Sequence, residues 1–493
     1  FAAGYQQALA LIGTLLNLVI AVWIFSATVD GTRYAQQAGL WPAPFGITLM
    51  VDGLSALMLL ASGVLGFAGV LYSMGTLDAR ASMNYYPLML FLLMGVNGAF
   101  LAGDLFNLYV FFEVMLMSSF ALLTLGGQIG QINGGIRYVL LNLLASSFFL
   151  MAIAVIYGSV GTLNMAQLAQ RMDSVPPSVQ LLAGGLLFIA FGTKAGIFPL
   201  YFWLPSSYHT PHPAITALFG GMLTKVGIYS LYRVFPLVFA IQIAEWQTAI
   251  LILAGLTMVV GGFGAMAVNT MRRVLSYHVI SQVGYMIMGL GLAAGSDLTL
   301  ATFGLAAGII YALQHMLVKT ALMMAGGAAE MDAASGSLLS SQMAGLSGRR
   351  PVLAVLFFVA AMSLAGIPPS SAFLSKLGLL QGAVMGGHWT MAAVAMFTAL
   401  ITLMSMVRLW QHAFWGKPSE VVNRVSPLQD LAKSRFIYAP IALLLVISLS
   451  MGIFGGSVFN WTQRAATHAL DRAGYIETVA PMDEIPFAGA YGE

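Results

Sequence analysis

A chain of 493 residues that is 59% hydrophobic and only 8% charged cannot be an ordinary soluble domain, in which about a quarter of residues carry charge. It reads as a polytopic membrane protein, and its net charge of +3 is too small to point to nucleic acid. With no cysteine, disulfides and cysteine-ligated iron–sulfur clusters are excluded; no cofactor or metal site is expected from the scattered histidines.

Spanning a bilayer takes about 20 apolar residues, and thirteen runs approach or exceed that length. They cover 8–28, 47–73, 85–102, 105–126, 136–157, 180–204, 213–235, 246–268, 274–294, 298–326, 352–382, 389–415 and 437–459. Between the fifth and sixth runs, residues 162–175 predict a short amphipathic surface helix. The segment Asn460 to Glu493 is a polar tail, expected at or outside one face. No cleavable signal peptide is visible at the start of the chain.

Loop charges set an orientation. Arg80, Arg137, Arg272, Arg273, Arg349, Arg350, Lys417, Arg424, Lys433 and Arg435 fall on one side. Arg33, Arg171 and Arg233 fall on the other, with Arg464 and Arg472 in the tail. The basic side is cytoplasmic by the positive-inside rule, and the expected location is the cell membrane, crossed many times.

Two runs look broken. The sixth contains Lys194-Ala-Gly-Ile-Phe-Pro199, and the eleventh contains Ala365-Gly-Ile-Pro-Pro369. Proline removes a backbone donor and clashes with the preceding turn, so both helices should kink or unwind, at Pro199 and at Pro368-Pro369. Interrupted helices in matching positions of two halves point to a transport site. The predicted division is 1–84 for the N-terminal helices, 85–235 for a first five-helix repeat, 246–415 for a second, and 416–493 for the last helix and tail. Five is odd, so the second repeat enters from the opposite side and is inverted.

The candidate site residues are the charges inside these runs. Four of the six lysines, Lys194, Lys225, Lys319 and Lys376, lie there with Glu113. A charge at mid-bilayer costs about 2.5–3.5 kcal/mol on the most lenient scale, so five unpaired ones cost roughly 12–17 kcal/mol. Such residues read by default as an ion or proton path. Glu113 stands out as the one deep carboxylate; the bland reading is a clamp between two helices. Lys194 lies one turn before the Pro199 break, where freed carbonyls can solvate its ammonium. Burial favours the neutral amine and a nearby carboxylate favours the ammonium, so a lysine balanced between them can release and regain a proton. Lys225 sits between glycines at mid-span, too deep to snorkel easily. His315 and Lys319 are four residues apart, on one helix face about 6 Å apart along the axis, and both exchange protons. Lys376 follows the second break and is read as the point of proton entry or exit.

Other polar residues carry less. His209 and His212 lie at a loop and helix start, and a metal is not expected there. His278 is a weaker relay candidate. Asp52 and Asp104 precede helices, where a carboxylate caps free N–H groups. Gln282, Thr224 and Ser281 could hold water between charges. Sodium requires several oxygen ligands, and a row of lysines repels metal cations, so protons are the expected cargo.

The segments 103–127 (GDLFNLYVFFEVMLMSSFALLTLGG), 193–229, 272–286 (RRVLSYHVISQVGYM), 313–324 (LQHMLVKTALMM) and 365–376 (AGIPPSSAFLSK) resemble the antiporter-like subunits of respiratory complex I and of Mrp-type cation/proton antiporters. The resemblance runs over nearly the whole chain, and 103–127 with Lys376 look most like the D-type subunit. It implies a multisubunit Na⁺/H⁺ antiporter, with other membrane subunits as partners and no redox or hydrolytic site in this chain. It also implies a Glu113–Lys194 pair, a central Lys225, the His315/Lys319 helix and a terminal Lys376 as the proton route. That family normally has fourteen spans, and the first is expected to lie before Phe1. The competing reading is a proton-pumping membrane subunit of a complex I-like or hydrogenase-like redox complex; the bland one is a non-transporting scaffold.

Overall fold

A computed structural model describes residues 2–332, 340–423 and 431–479. In chain order the helices are α1 (Ala2–Thr28), α2 (Gly53–Thr76), α3 (Ala79–Leu101), α4 (Leu105–Thr124), α5 (Ile129–Val160), α6 (Met165–Arg171), α7 (Pro177–Ala195), α8 (Trp203–Ser207), α9 (Pro213–Leu218) and α10 (Thr224–Val238). A five-residue π-turn, Phe219–Leu223, joins α9 to α10. There follow α11 (Ile243–Ala267), α12 (Met271–Ala293), α13 (Leu298–Asp332), α14 (Leu346–Arg349), α15 (Pro351–Ala365), α16 (Ser371–Met385), α17 (Trp389–Phe414), α18 (Glu420–Asn423), α19 (Leu431–Ile453), α20 (Gly455–Leu470) and α21 (Arg472–Val479).

Among the described residues, eleven helical stretches are long and apolar enough to cross a membrane. Eleven of the thirteen expected runs therefore appear as such spans or contribute to one. The other two are α12, which carries Arg272, Arg273, His278 and Gln282 along its length, and the α15–α16 pair, each only 15 residues long because the helix is broken between them. The thirty-five-residue α13 runs through the centre, packed by α12, α15, α16, α19 and α20.

The two breaks share one local geometry. Gly196 ends α7 with φ 79° and ψ 39°, and Gly366 ends α15 with φ 92° and ψ 39°. This left-handed conformation suits glycine, which has no Cβ to clash. In each case the glycine N–H and the following isoleucine N–H return to one carbonyl: Gly192 in the first break, Met362 in the second. The first break is tied to the other half of the chain, since the Phe198 N–H donates to Thr257 Oγ1 on α11 at 3.0 Å.

Three features depart from the sequence reading. The run beginning at residue 47 starts as a strand: β1 (Tyr34–Gln37) pairs antiparallel with β2 (Thr48–Val51), a small two-stranded sheet beside the helices. Helix α2 starts only after Asp52, whose side chain accepts the Ser55 N–H at 3.0 Å. The polar tail, expected at or outside one face, is helical in its first part, Gly455–Val479 forming α20 and α21 against α2, α10, α13 and α6; the rest of it, 480–493, lies outside the described residues, as does Arg424. The surface helix foreseen at 162–175 is α6, capped by Asn164, whose side chain accepts from the Ala166 and Gln167 N–H groups.

Candidate functional site

The lysines on either side of the molecular centre meet at a pair of glycines. Lys225 is fully buried, and its Nζ donates to the Gly220 carbonyl at 2.7 Å. Gly220 lies in the π-turn, where the wider winding alters the regular i→i−4 ladder. Across from it runs α13: a Cβ on Gly220 would lie 3.7 Å from Lys319 Cγ, and one on Gly221 would lie 2.0 Å from Thr320 Oγ1. Only glycine at 221 lets α13 approach this closely. The π-turn thus brings Lys225 of the first half to Lys319 of the second.

Along α13, His315 and Lys319 are wholly buried, and neither imidazole nitrogen nor the Lys319 Nζ has a hydrogen-bond partner from the protein. The same is true of both amide atoms of Gln314, Thr224 Oγ1, Ser281 Oγ and His278 Nδ1. Buried polar groups of this kind are normally satisfied by internal water. The other nitrogen of His278, Nε2, lies 2.9 Å from Ser405 Oγ on α17.

Lys376 uses the second break differently from the way Lys194 relates to the first. Its Nζ donates to the Ala365 carbonyl at 2.7 Å and to that of Leu364 at 3.2 Å, the last carbonyls of α15. It also lies 5.5 Å from the centroid of the Tyr285 ring. The carbonyls at the corresponding positions of the first break are those of Lys194 itself and Ala195, and Lys194 Nζ donates to neither; the carbonyl before them, Thr193 O, accepts Trp203 Nε1 at 2.9 Å. The expectation that freed carbonyls solvate Lys194 is therefore corrected; the lysine they hold is Lys376. Aligned on Ala-Gly-Ile-x-Pro, Lys376 falls opposite Ser206 and Lys194 opposite Leu364. One lysine reaches back across its break, and the other precedes it.

Glu113 and Lys194, paired by the family resemblance, share no hydrogen bond, although Glu113 is the charge that acts on Lys194. Lys194 is buried without a hydrogen-bond partner, 5.8 Å from the centroid of the Phe112 ring. Glu113 is half-buried, with Oε1 unpartnered. It lines a lateral groove of about 570 Å³ between α3 and α4, whose other walls include Phe91, Tyr109, Val110 and Met117. Residue spacing alone could not place Glu113 at this flank.

Glu113 is also not the sole buried carboxylate. Asp52 is 0% exposed and receives a bidentate pair from Arg233, both bonds 2.7 Å. Burial pushes the Asp52 carboxyl up, but the Arg233 guanidinium outweighs it and holds the group down to about 2. Arg233 sits between the Tyr229 and Tyr475 rings. Glu330, at the end of α13, pairs with Arg272 at 2.5 Å, and Arg272 also donates to the Pro211 carbonyl at 2.6 Å. The available signal was charge placement: Asp52 and Arg233 fall on one side of the membrane by loop assignment, Arg272 and Glu330 on the other.

The Arg272–Glu330 pair lines a cavity of about 1140 Å³ on the arginine-rich side, with Asp78, Gln131 and His212. His212 accepts the Ala214 N–H at Nδ1, 3.3 Å, and caps α9. Burial, helped by Arg272, pushes it down to about 4; burial and Arg273 do the same to His209. Both are neutral near pH 7, as a capping acceptor must be. Among the described residues no group of three or more His, Asp or Glu side chains is arranged to hold a metal.

This arrangement, a helical bundle with broken helices in both halves and buried lysines leading between them, defines a polytopic membrane protein of the ion-translocating class. The chain belongs to the NADH:quinone oxidoreductase/Mrp antiporter transmembrane family, whose pattern it matches over residues 102–402. It is 40% identical to the D-type subunit of the Na⁺/H⁺ antiporter of Alkalihalophilus pseudofirmus, over 95% of this chain and 92% of that one. Its fold is similar to a chain of the Mrp complex from Dietzia sp., with a TM-score of 0.88 and 32% identity over 97% of this chain and 95% of the other. It is also similar to a chain of the membrane-bound sulfane sulfur reductase, an archaeal respiratory membrane complex, with a TM-score of 0.86 and 26% identity over 97% of each.

Proposed function

We propose that this chain is the proton-translocating subunit of a multisubunit Na⁺/H⁺ antiporter in the cell membrane, working with other membrane subunits. Its transport reading extends the names of its relatives, and the higher identity of the antiporter relatives favours it over a redox-complex subunit. The observation that carries it is the junction at Gly220, where Lys225 and Lys319 converge from the two halves. A scaffold gains nothing from burying two lysines within each other's electrostatic reach. At an effective dielectric of about 20, two charges 4 Å apart interact by about 4 kcal/mol. A proton arriving at one lysine therefore drives release from its neighbour.

The proposed route runs from Glu113 and Lys194 through Lys225, then His315 and Lys319, to Lys376. Residues 85–235 and 246–415 are its two inverted halves. Each lysine acts by alternating between ammonium and amine: the Gly220 carbonyl receives the ammonium of Lys225, and the Leu364 and Ala365 carbonyls receive that of Lys376. A row of such groups repels metal cations while passing protons.

Exchange in everted vesicles containing the assembled complex tests this reading. Lys225→Ala and Glu113→Ala should assemble and lose exchange. Assembly with exchange at the wild-type rate in both would leave only the scaffold.

A further inference from the structure

The proposed route leaves a gap between α13, which carries His315 and Lys319, and Lys376 on α16. A tyrosine pair fills it. Tyr311 lies one turn before His315 on the same face of α13. Its hydroxyl donates to Gln282 Oε1 on α12 in a short hydrogen bond. Its ring stacks on that of Tyr285, also on α12, with centroids 5.0 Å apart and planes at 8°. The same Tyr285 ring lies 5.5 Å from the Lys376 ammonium. Gln282 is itself held, its Nε2 donating to Thr402 Oγ1 at 3.5 Å. Tyr311, Gln282 and Tyr285 are all buried.

The geometry points to Tyr311 as a further proton-relay group, bridging the His315/Lys319 pair to Lys376, with Gln282 as the residue that positions its hydroxyl. The inference rests on the relay reading above. Two observations separate it from simple packing. Stacking needs only the ring, yet the hydroxyl is oriented by a buried amide that is itself anchored to α17. The polar atoms on the α13 side, His315 Nδ1 and Nε2 and Lys319 Nζ, have no protein partner, while Lys376 stands beside the Tyr285 ring that Tyr311 stacks on. A proton crossing between these positions needs a group that accepts and donates at once, and a phenol does both.

The step balances without any other reagent. A proton leaving the imidazolium of His315, passed through water, forms a new O–H bond at the Tyr311 oxygen. The proton already on that oxygen leaves its hydrogen bond to Gln282 and passes, again through water, to the amine of Lys376. One O–H bond forms and one breaks, and the tyrosine is neutral before and after. Gln282 takes up no proton; its carbonyl holds the hydroxyl between transfers.

The test uses the assembled complex in everted vesicles, with exchange normalised to assembled complex and followed against pH. Tyr311→Phe keeps the stacked ring and removes the hydroxyl. Exchange is expected to fall on the order of a hundredfold. Gln282→Met should give a smaller loss with a displaced pH–rate profile, which a purely structural role would not produce. Tyr232→Phe is the control, since it removes a comparably buried hydroxyl that donates to the Met286 carbonyl at 2.6 Å; it should leave exchange unchanged. Wild-type exchange in Tyr311→Phe overturns the bridge. Should Tyr311→Phe fail to assemble, Gln282→Met decides: a displaced profile supports the bridge, and a wild-type profile overturns it. Lys225→Ala in the same preparation separates the two levels. If it is inactive while Tyr311→Phe is normal, only the bridge fails; if Lys225→Ala is itself active, the relay reading fails.

Discussion

Replacing Asp52 with Asn should destabilise the folded chain by about 3–5 kcal/mol, the usual cost of stripping one partner from a buried ion pair. Asparagine caps a helix as well as aspartate does, so the bond from the Ser55 N–H survives and only the charge is lost. Arg233, 2% exposed, is then left as a buried cation facing an amide. The double variant Asp52→Asn/Arg233→Met removes both charges. What it forfeits are the Arg233 bonds to Ser55 Oγ at 3.2 Å and to the Tyr229 hydroxyl at 3.4 Å and the contacts of the guanidinium with the Tyr229 and Tyr475 rings, 5.6 and 5.5 Å away. Each such contact is worth about 0.5–1 kcal/mol, so the double variant should cost about 1–2 kcal/mol, less than either single change. The assay is the midpoint for loss of the monodisperse peak when the purified assembly is heated. Single variants should melt several degrees lower, with the double close to wild type. Additive losses would refute the buried-pair argument. So would an Asp52→Asn variant of normal stability that no longer exchanges ions, since that result places the pair in the ion path.

Three further outcomes follow from the geometry. Lys376→Ala should assemble and lower exchange on the order of a hundredfold; full retained activity removes Lys376 from the route. Gly227→Val should separate α7 from α10, because a Cβ there would lie 2.7 Å from both Ala195 N and Phe191 O, backbone atoms that cannot yield locally; assembly measured by size-exclusion should fall, and a normal yield would contradict this packing. His468 on α20 accepts the Gly53 N–H at Nδ1, 3.2 Å, beside Asp52, Arg233, Arg33 and Asp471. Burial holds its imidazole below its ordinary value, so the unfolded clasp binds protons more readily than the folded one. The stability it contributes is complete above about pH 6.5 and is lost as pH falls from there toward the folded-state value. Proteolysis of the C-terminal segment should accelerate on acidification through that window in wild type and not in His468→Gln; equal acceleration in both would remove His468 as the cause.

Much of the architecture was legible because membrane burial and helix breaking are local properties. Apolar runs of the right length became spans, and Ala-Gly-Ile-x-Pro ended a helix in each half because glycine accepts the left-handed turn and proline cannot continue the ladder. The buried lysines stood out by type alone. Pairing was not legible, because a charge in an apolar run does not disclose which helix faces it. Glu113 and Lys194 act on each other electrostatically, yet one lines a lateral groove and the other lies over Phe112, with no hydrogen bond joining them. The carbonyls that hold a lysine turned out to serve Lys376, which follows its break and reaches back to Leu364 and Ala365, whereas Lys194 precedes its own. Tyr311 and Gln282 gave no signal as a pair, being 29 residues apart; Gln282 stood out only as a group that could hold water, and Tyr311 not at all.

The linear order of residues determined that this chain is a helical bundle crossing the bilayer many times, where its helices must break and which side chains are too costly to bury without purpose. Only the packed structure decided that Lys225 meets Lys319 across Gly220, that Asp52 reaches Arg233 across 181 positions, and that the polar C-terminal stretch closes over the bundle. The physical reason is that hydropathy and backbone preference act over a few neighbouring residues. Electrostatic pairing and close helix approach depend on contacts that exist only once distant segments are folded together.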